Sequence, residues 1–502
     1  MPTAAEMSAL DSEAVSGGSI SERALIESAG REIAHLVQDL FPNGPIAAIV
    51  GSGHNGADAL VALRALYAWG RTTFAFKAGR RAPAPDVLAG WDIGLRPASD
   101  LSHAAGCSAL LDGILGTGLV DAPREEAAAA IAAVNSLGVP VVAVDVPSGV
   151  NATTGAVPGA CVRADLTVCL GWPKLGMLRP PARELAGDVV AVEIGFPPTP
   201  ALRSRAITGR WLREHLPEAL SRRSKSDAGY LALIAGREGM AGAAVLAARA
   251  ALRAGAGVVR VVSHPANREI IQKSVPGAVY ASWADERELS GALDWAHAMV
   301  VGPGLGRDAE ARRLTESVLS SAGARPVVLD ADGLSVWEGA ADELPAHLPP
   351  SAVMTPHPGE MARVLDRDIE SILENPFVVA EEASERFGCT VLLKGDPTIV
   401  AAPDEPLLVA TTRGPALAAG GTGDVVAGVT GALLANGLAG HVAASGALLL
   451  TGLAASQGPA IGHTAEDIPD RLQDARAAVA GLEKERGGSV LFALPRIGDP
   501  KA

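Results

Sequence analysis

Short apolar runs, many of them β-branched, recur along the first half of the chain, with helix-compatible segments between them. The runs are PIAAIVG (45–51), TTFAFKA (72–78), CSALLDGIL (107–115), VPVVAVDVP (139–147), ADLTVCLG (164–171) and GDVVAVEIG (187–195). Strands that are buried on both faces of a parallel sheet have this uninterrupted apolar pattern. Residues 23–40 place apolar side chains at helical spacing, which predicts an amphipathic helix on the surface of this sheet.

The second half of the chain repeats this alternation with different motifs. Its predicted strands lie in GYLALIAG (229–236), VVRVVS, HAMVVGPGLG, PVVLDADGL, AVMTPHPGE and TVLLKGDPTIVA, and residues 241–255 predict a long Ala-rich helix. Between the halves, residues 196–228 combine prolines with a basic cluster, which is typical of a linker. We therefore place the boundary near residue 215 and predict two α/β domains, residues 1–215 and residues 216–502.

The composition of the chain limits the classes of molecule that it can bind. Hydrophobic residues make up 48% of the 502 residues and charged residues 20%, so the chain can bury large cores and is not of the disordered class. A net charge of −14 disfavours binding to a nucleic-acid backbone or an anionic membrane. We expect small-molecule substrates, no nucleic acid and no membrane.

One long stretch without charge needs an explanation. No Asp, Glu, Lys or Arg occurs between Asp424 and Glu466. A membrane-spanning helix is one interpretation, but the Gly and Ala content and the missing basic flanks favour two buried helices broken at Asn436-Gly437. The four cysteines form no CxxC pair and the N-terminus lacks a signal-peptide pattern, so we expect a cytoplasmic protein.

Polar residues follow several strands of the first half. The glycine loop from Gly51 to Asp58 follows a strand and opens a helix, so its N–H groups can face an anion, although such loops are most often structural turns. Asp112, Asp145 and Ser148 are near the ends of later strands, and the carboxyl ends of parallel strands meet at one sheet edge. We expect a ligand site there, although each of these residues taken singly also suits a helix cap or a turn.

In the second half, the strongest motif is Gly420-Gly421-Thr422-Gly423-Asp424, directly before an apolar helix. Glycines at a helix N-terminus expose N–H groups that stabilise the charge of a transferring phosphoryl group, and Asp424 can act as a base beside them. Lys394 at a strand end can contact a nucleotide or be an ordinary surface lysine. His357 in TPHPGE is either a ligand contact or a structural residue, and Gly302–Gly306 is either a ligand surface or a sharp turn.

The segments ALIESAGREIA, GSGHNGADALVALRAL, DGILGTGL and VDVPSG resemble the NAD(P)HX epimerase family over about residues 5–215. The resemblance implies a Rossmann-like three-layer α/β/α domain and a potassium ion bound by Asn55, Asp112 and Ser148. Contacts to hydrated NAD(P)H are implied for His54, Asn55, Gly56, Ala57, Asp58, Gly116, Thr117, Gly118, Leu119 and Asp145. The family loop usually reads G-x-G-N-N-G-G-D-G, whereas this chain has His54, Ala57 and Ala59 at three of its positions.

The order VGPGLG, DADGL, TPHPGE, LLKG and GGTGD is similar to that of the ADP- or ATP-dependent NAD(P)HX dehydratase family over about residues 220–495. The resemblance implies a ribokinase-like α/β domain, magnesium, and ADP as the donor in bacterial members. The implied nucleotide contacts are Lys394, Gly395, Asp396, Pro397, Thr398 and Gly423. The implied contacts to the hydrated nicotinamide are Ala243, Gly304 or Gly306, His357 and Asp424.

Together the two resemblances imply an enzyme that repairs NADHX and NADPHX. The first half would epimerise the R and S hydrates with Asp145 at the substrate, and the second would use a nucleotide to phosphorylate the hydroxyl and then eliminate phosphate. The alternative is a ribokinase-like kinase of a small molecule, fused to a binding domain whose catalysis has lapsed. A homo-oligomer is the default expectation.

Overall fold

The computed structural model describes residues 1–81, 86–197, 202–216, 228–412, 417, 419–459, 462–482 and 489–494. The chain forms two compact units. The first begins at Met1, ends at Arg203 and also includes the described C-terminal residues 489–494, whereas the second begins at Ser204.

A parallel sheet is the centre of the first unit. Its parallel strands are β1 (Ile46–Val50), β2 (Thr73–Lys77), β3 (Leu95–Pro97), β4 (Ala109–Gly113), β5 (Val141–Val144), β6 (Leu166–Leu170) and β7 (Asp188–Val192). The helices are α1 (Ala4–Ser16), α2 (Glu22–Leu40), α3 (His54–Ala68), α4 (Glu125–Ser136) and α5 (Ala182–Leu185). The strand order β7-β6-β5-β4-β1-β2-β3 reverses between β1 and β4, which is where ligands bind in sheets of this type.

Apolar layers cover both faces of this sheet. Helices α2 and α3 contribute Ile33 and Leu63 to one fully buried cluster, and α4 contributes Ile131 to another that also contains Ile49 of β1. The predicted amphipathic helix is α2, whose first turn is capped by Ser21. The expected Rossmann-like three-layer α/β/α domain is confirmed.

The second unit contains a ten-stranded mixed sheet. Its strands are β8 (Ser204–Ile207), β9 (Tyr230–Ile234), β10 (Val258–Ser263), β11 (Val279–Ser282), β12 (Ala298–Val301), β13 (Val327–Leu329), β14 (Val353–Met354), β15 (Thr390–Leu393), β16 (Ile399–Ala401) and β17 (Leu407–Ala410). The order is β11-β10-β9-β12-β13-β14-β15-β16-β17-β8. From β11 to β15 the pairs are parallel, and β15, β16 and β17 are antiparallel.

The helices of the second unit pack on this sheet. They are α6 (Gly209–His215), α7 (Ala241–Ala254), α8 (Arg268–Ser274), α9 (Glu286–Trp295), α10 (Ala309–Ala322), α11 (Asp332–Ser335), α12 (Pro358–Leu365), α13 (Ile369–Glu374), α14 (Pro376–Phe387), α15 (Thr422–Ala435), α16 (Gly440–Ser456) and α17 (Ile468–Gly481). Helices α7 and α15 pack against each other through small residues: a Cβ at Gly428 would meet the Ala247 carbonyl oxygen at 2.2 Å. Such close packing explains the Gly and Ala content of this half.

The long stretch without charged residues forms two helices, as predicted. Helices α15 and α16 are largely buried, and the chain turns between them at Gly437, whose φ is 87°. Within the described residues, no helix is long and apolar enough to cross a membrane.

The boundary between the units differs from the expected position near residue 215. Strand β8 pairs in parallel with β17, with Ser204 opposite Leu407, so β8 and α6 belong to the second unit. At the other end of the chain, β18 (Val490–Leu494) pairs antiparallel with β7 of the first unit. Residues 198–201 and 217–227 of the expected linker, with its basic cluster, are outside the described residues.

Candidate active sites

A large cavity of about 1110 Å³ opens at the carboxyl ends of β1, β4 and β5 in the first unit. The sheet forms one wall of it and α1 another. Of the predicted substrate contacts, the cavity wall contains His54, Asn55, Asp58, Gly116, Thr117, Gly118, Leu119 and Asp145. Gly56 and Ala57 are instead fully buried in α3, and Ala57 belongs to the apolar core.

Asp112, Ser148 and Asn55 meet around the Leu115 backbone. The Ser148 hydroxyl donates to Asp112 Oδ1 at 2.6 Å, and the Ser148 N–H donates to Asp112 Oδ2 at 2.9 Å. Asn55 Nδ2 donates to the Leu115 carbonyl at 2.9 Å, which leaves its amide oxygen available. Burial raises the pKa of Asp112 to about 6, against the hydrogen bonds from Ser148 and Ile114, which lower it.

Asp145 is held in an unusual backbone conformation at the end of β5, with φ of 66°. Lys174 Nζ donates to Asp145 Oδ1 and, at 3.0 Å, to the Leu170 carbonyl. The Leu170 N–H also donates to Asp145 Oδ1 at 3.0 Å. A non-glycine residue held at positive φ is frequent at functional sites.

The N-terminus of α3 also faces the cavity. Gly53 is its N-cap and supplies no side-chain hydrogen bond, and the Gly56 N–H donates to the Gly53 carbonyl at 3.1 Å. Among the described residues, the N–H groups of His54 and Asn55 have no acceptor and are available to an anion. His54 Nε2 pairs with Glu22 Oε1 at 2.8 Å, and both side chains are exposed. The cavity thus combines an anion-binding helix end with ionisable groups.

In the second unit, Asp330 and Lys394 form an ion pair where β13 and β15 end. Lys394 Nζ is 2.5 Å from Asp330 Oδ1, and Thr355 Oγ1 donates to the same oxygen at 2.7 Å. Asp330 is 1% exposed. Burial lowers the pKa of Lys394, but the charge of Asp330 and its hydrogen bond more than offset this and raise it above the usual value.

Asp424 is in the first turn of α15, beside this pair. Burial raises its pKa to about 7, and the negative charge of Asp330 adds to the shift while Lys394 opposes it. At Gly423, an added Cβ would be 3.2 Å from Lys394 Nζ. The structure therefore brings Lys394, Gly423 and Asp424 together at a helix N-terminus, an arrangement that can stabilise a phosphoryl group and remove a proton.

His357 caps the N-terminus of α12. Its Nδ1 accepts from the N–H groups of Gly359 at 3.0 Å and Glu360 at 3.3 Å, and Glu360 Oε2 accepts from the His357 N–H at 2.9 Å. Burial lowers the pKa of His357, with Lys394 among the positive charges that add to the shift. The accepting Nδ1 leaves Nε2 as the ring nitrogen of neutral His357 that carries a proton.

The remaining predicted contacts are Ala243 at the start of α7 and residues of two turns. An added Cβ at Gly304 would meet Ala243 Cβ at 3.0 Å, so these two residues are adjacent, whereas the Gly306 N–H donates to Asp332 Oδ2 at 2.8 Å. In the other turn, the Thr398 hydroxyl donates to the Gly395 carbonyl at 3.0 Å. This second turn, which contains Asp396 and Pro397, directly follows Lys394.

Comparison with known proteins adds independent evidence. The family model described as NAD(P)H-hydrate dehydratase matches residues 231–475, and the model described as YjeF-related protein N-terminus matches residues 22–176. A bifunctional NAD(P)H-hydrate repair enzyme of Salinibacter ruber is 33% identical over 91% of both chains. The chain belongs to this family of repair enzymes.

Other relatives agree with this result. The bifunctional NAD(P)H-hydrate repair enzyme of Escherichia coli K12 is 33% identical, with 86% of this chain and 84% of that protein covered. A solved ribokinase-like superfamily protein from Enterococcus faecalis V583 is 22% identical, with a TM-score of 0.50, and covers 57% of this chain and 99% of that one. This similarity shows the ribokinase-like fold of the second unit. The two-domain repair enzymes among the relatives favour a repair function over the small-molecule kinase alternative.

Two parts of the repair-enzyme site were not predicted from the sequence. Lys174 is in the GWPKLGML segment, but nothing in that segment indicates a partner at Asp145. Helix α1 was also not predicted as a wall of the cavity, although Met7, Asp11 and Val15 line it. The spacing of these residues by four is the signal that indicates one helical face.

We predict that Gly421→Ala lowers the nucleotide-dependent activity of this repair enzyme more than Gly420→Ala does. Gly421 has φ of 91° and an added Cβ would meet Leu246 Cδ1 at 2.8 Å, whereas a Cβ at Gly420 meets nothing within 4 Å. Forcing a side chain into this conformation costs about 1–3 kcal/mol. The measurement is kcat/KM for ADP or ATP, and equal kcat/KM values for the two variants would contradict the prediction.

Proposed function

We propose that the chain repairs hydrated NADH and NADPH in two reactions, an epimerisation in the first half and a nucleotide-dependent dehydration in the second. The observation that carries the dehydration is the meeting of Asp424, Gly423 and Lys394 at the start of α15. For the location of each activity we propose the limits expected from the sequence, residues 1–215 and 216–502, except that β8 and α6 belong with the second unit. The substrates proposed are NADHX and NADPHX.

The dehydration uses Asp424 as a base. As the terminal phosphoryl group of the nucleotide moves to the hydroxyl on C6, Asp424 takes the hydroxyl proton. Phosphate then leaves with the C6–O electron pair and accepts the proton lost from C5, which restores the ring double bond. Lys394 and the N–H groups at Gly421–Gly423 stabilise the charge of the transferring group. Ala243, Gly304 and His357 are proposed to contact the hydrated ring, with Gly306 as the alternative to Gly304.

Magnesium fits the donors of the second unit. No three His, Cys, Asp or Glu side chains group into a metal cage among the residues that the structure describes. Mg²⁺ in phosphoryl transfer typically binds substrate phosphates, water and only one or two carboxylates. Asp330 and Asp332, whose charges act on Asp424, are the proposed protein ligands. The ion would neutralise phosphate charge, and ADP is the proposed donor, held by Lys394–Thr398.

Potassium fits the oxygen donors of the first unit. Asp112, Ser148 and the free amide oxygen of Asn55 are hard donors with a single carboxylate among them, which suits a cation of low charge. Potassium bound there would order the loop that follows β4 and so the substrate contacts from Gly116 to Leu119. The replaced positions Ala57 and Ala59 are in the apolar core, away from the cavity wall, which supports an active epimerase.

The test follows absorbance at the reduced-nicotinamide band. Purified protein with magnesium and potassium is mixed with both NADHX epimers and either ADP or ATP. We expect the whole mixture to recover faster than an epimerase-free control, with ADP as the donor. A phosphorylated product without recovery would contradict the proposal, and recovery of only the S portion would contradict its epimerase part.

We predict that Ser148→Ala abolishes the dependence of epimerisation on potassium. The variant loses an oxygen donor and leaves Asp112 with one hydrogen bond fewer. The rate of R-to-S conversion is measured with potassium chloride and with choline chloride at equal ionic strength. Potassium stimulation of the variant equal to that of the unmodified protein would exclude this site. Ser136→Ala, at an exposed end of α4, is the matched control.

A cytoplasmic location and self-association are further proposals. Three of the four cysteines are buried and all four are free, which fits a reducing compartment. Size-exclusion chromatography with light scattering tests the proposed homo-oligomer, and a monomeric mass would contradict it.

A further inference from the structure

Asp58 is a buried carboxyl group without a partner. It is 6% exposed, it lines the large cavity of the first unit, and its side chain makes no hydrogen bond or ion pair within the part of the chain that the structure describes. A carboxyl group that lines a cavity without a protein partner is available to a ligand in that cavity. Asp58 and Asp145 line the same cavity. The two carboxyl groups would therefore act on the same ligand.

The two carboxyl groups have opposite surroundings. Asp145 receives hydrogen bonds from Lys174 and from the Leu170 N–H. Asp58 has no donor. Burial raises the pKa of Asp58 well above its usual value, and the negative charges of Asp145 and Asp11 add to the shift, against Lys174. A carboxyl group with two hydrogen-bond donors and a second one without any, on the wall of the same cavity, form an arrangement that suits a base and an acid.

We propose that Asp58 is the catalytic acid of epimerisation and works with Asp145 as the catalytic base. The proposal rests on the proposed epimerase function and adds to it the residue that supplies the second proton. Asp145 follows β5 and Asp58 belongs to α3, and both line one cavity. Their carboxyl groups can therefore reach two atoms of one substrate ring.

The chemistry balances without a further reactant. In the hydrate, C6 carries the hydroxyl and is bonded to the ring nitrogen N1. Asp145 takes the hydroxyl proton, the oxygen electrons form a C6 carbonyl, and the C6–N1 bond breaks while N1 takes the proton of Asp58. Rotation about the C5–C6 bond presents the other face of the carbonyl. N1 then attacks C6 and returns its proton to Asp58, while the oxygen takes the proton from Asp145.

The first test compares Asp58→Asn with the unmodified full chain, without nucleotide so that dehydration does not occur. The amide matches the size of a neutral carboxyl group but cannot donate its proton in this way. We expect kcat for R-to-S conversion to fall about 10²–10³-fold and KM to stay within about threefold. Asp39→Asn, on an exposed part of α2 outside the cavity, is the matched control. Asp58→Glu should restore part of the rate.

The pH profile is a readout that a merely structural residue would not change. The groups facing Asp58 are Asp145 after β5, Lys174 after β6 and Asp11 on α1, with His54 and Glu22 also on the cavity wall. Because the acid must be protonated, kcat should decrease as the pH rises through the pKa of Asp58. This alkaline decrease should be absent from Asp58→Asn.

A second measurement does not depend on the folding of a variant. In ¹⁸O-labelled water, ring opening keeps the original C6 oxygen, so the unmodified protein should epimerise without taking up label. Uptake of one labelled oxygen per conversion would overturn the ring-opening step. If the unmodified protein epimerises and Asp58→Asn matches it in kcat, only the role of Asp58 fails. If the unmodified protein does not exceed the enzyme-free rate, the epimerase function itself fails.

Discussion

Asp424→Asn is expected to lower the nucleotide-dependent recovery of NADH from the S hydrate by about 10³-fold. The amide occupies the same volume at the start of α15 but cannot accept the hydroxyl proton during phosphoryl transfer. Lys394 and the glycine N–H groups remain, so the KM for the nucleotide should change little. Epimerisation, measured without nucleotide, should be unchanged because Asp424 belongs to the other unit.

The pH dependence follows from the same group. The pKa of Asp424 is raised to about 7, so the carboxyl group is mostly protonated at pH 6 and mostly ionised at pH 8. A base acts in its ionised form, so kcat/KM should rise with pH through about 7 and level off above it. The Asn variant should lack this rise.

The control for this prediction is Asp474→Asn, on an exposed position of α17 in the same unit. It should retain both the rate and the pH profile of the unmodified protein. A residual rate for Asp424→Asn within tenfold of the unmodified rate would show that another group removes the proton.

The sequence predicts most of the central strands of both sheets because their apolar runs are long enough to be buried on both faces. Strands β3, β11 and β17 lie outside the predicted runs. It also predicts that Asp112, Asp145 and Ser148 lie at one edge of the sheet, because parallel strands end there. In the structure Asp112 and Ser148 are hydrogen-bonded, whereas Asp145 contacts Lys174. The same argument does not extend to the edge strands. The segments that form β8 and β18 are short, and their partners β17 and β7 are far away in sequence, so local pattern does not determine which sheet they join.

The sequence pattern also does not predict which side chains pair with each other. Lys174 is 0% exposed only because Asp145 and the Leu170 carbonyl surround its charge, and a turn lysine has no local feature that indicates this. Asp58 belongs to a recognisable loop, but its lack of a partner depends on what α1, β5 and β6 place around it. Whether a carboxyl group acts as an acid or as a base depends on its surroundings, so the structure is needed to assign these roles.

Lys394→Met is expected to destabilise the second unit by about 3–5 kcal/mol, because it leaves the buried Asp330 without its counter-charge. Met matches the length of the lysine stem, so packing changes little, and Thr355 remains as the hydrogen-bond donor in this cluster. The measurement is hydrogen exchange of β13 and β15 peptides, which reports this unit separately from the other.

The double variant Asp330→Asn/Lys394→Met separates lost charge balance from lost packing. It removes both charges, so most of the stability should return, while nucleotide-dependent activity should stay low because the lysine that faces Gly423 is missing. A double variant as unstable as the single one would show that Lys394 stabilises the unit through its packing, and the ion pair would then serve only to orient Lys394 toward the start of α15.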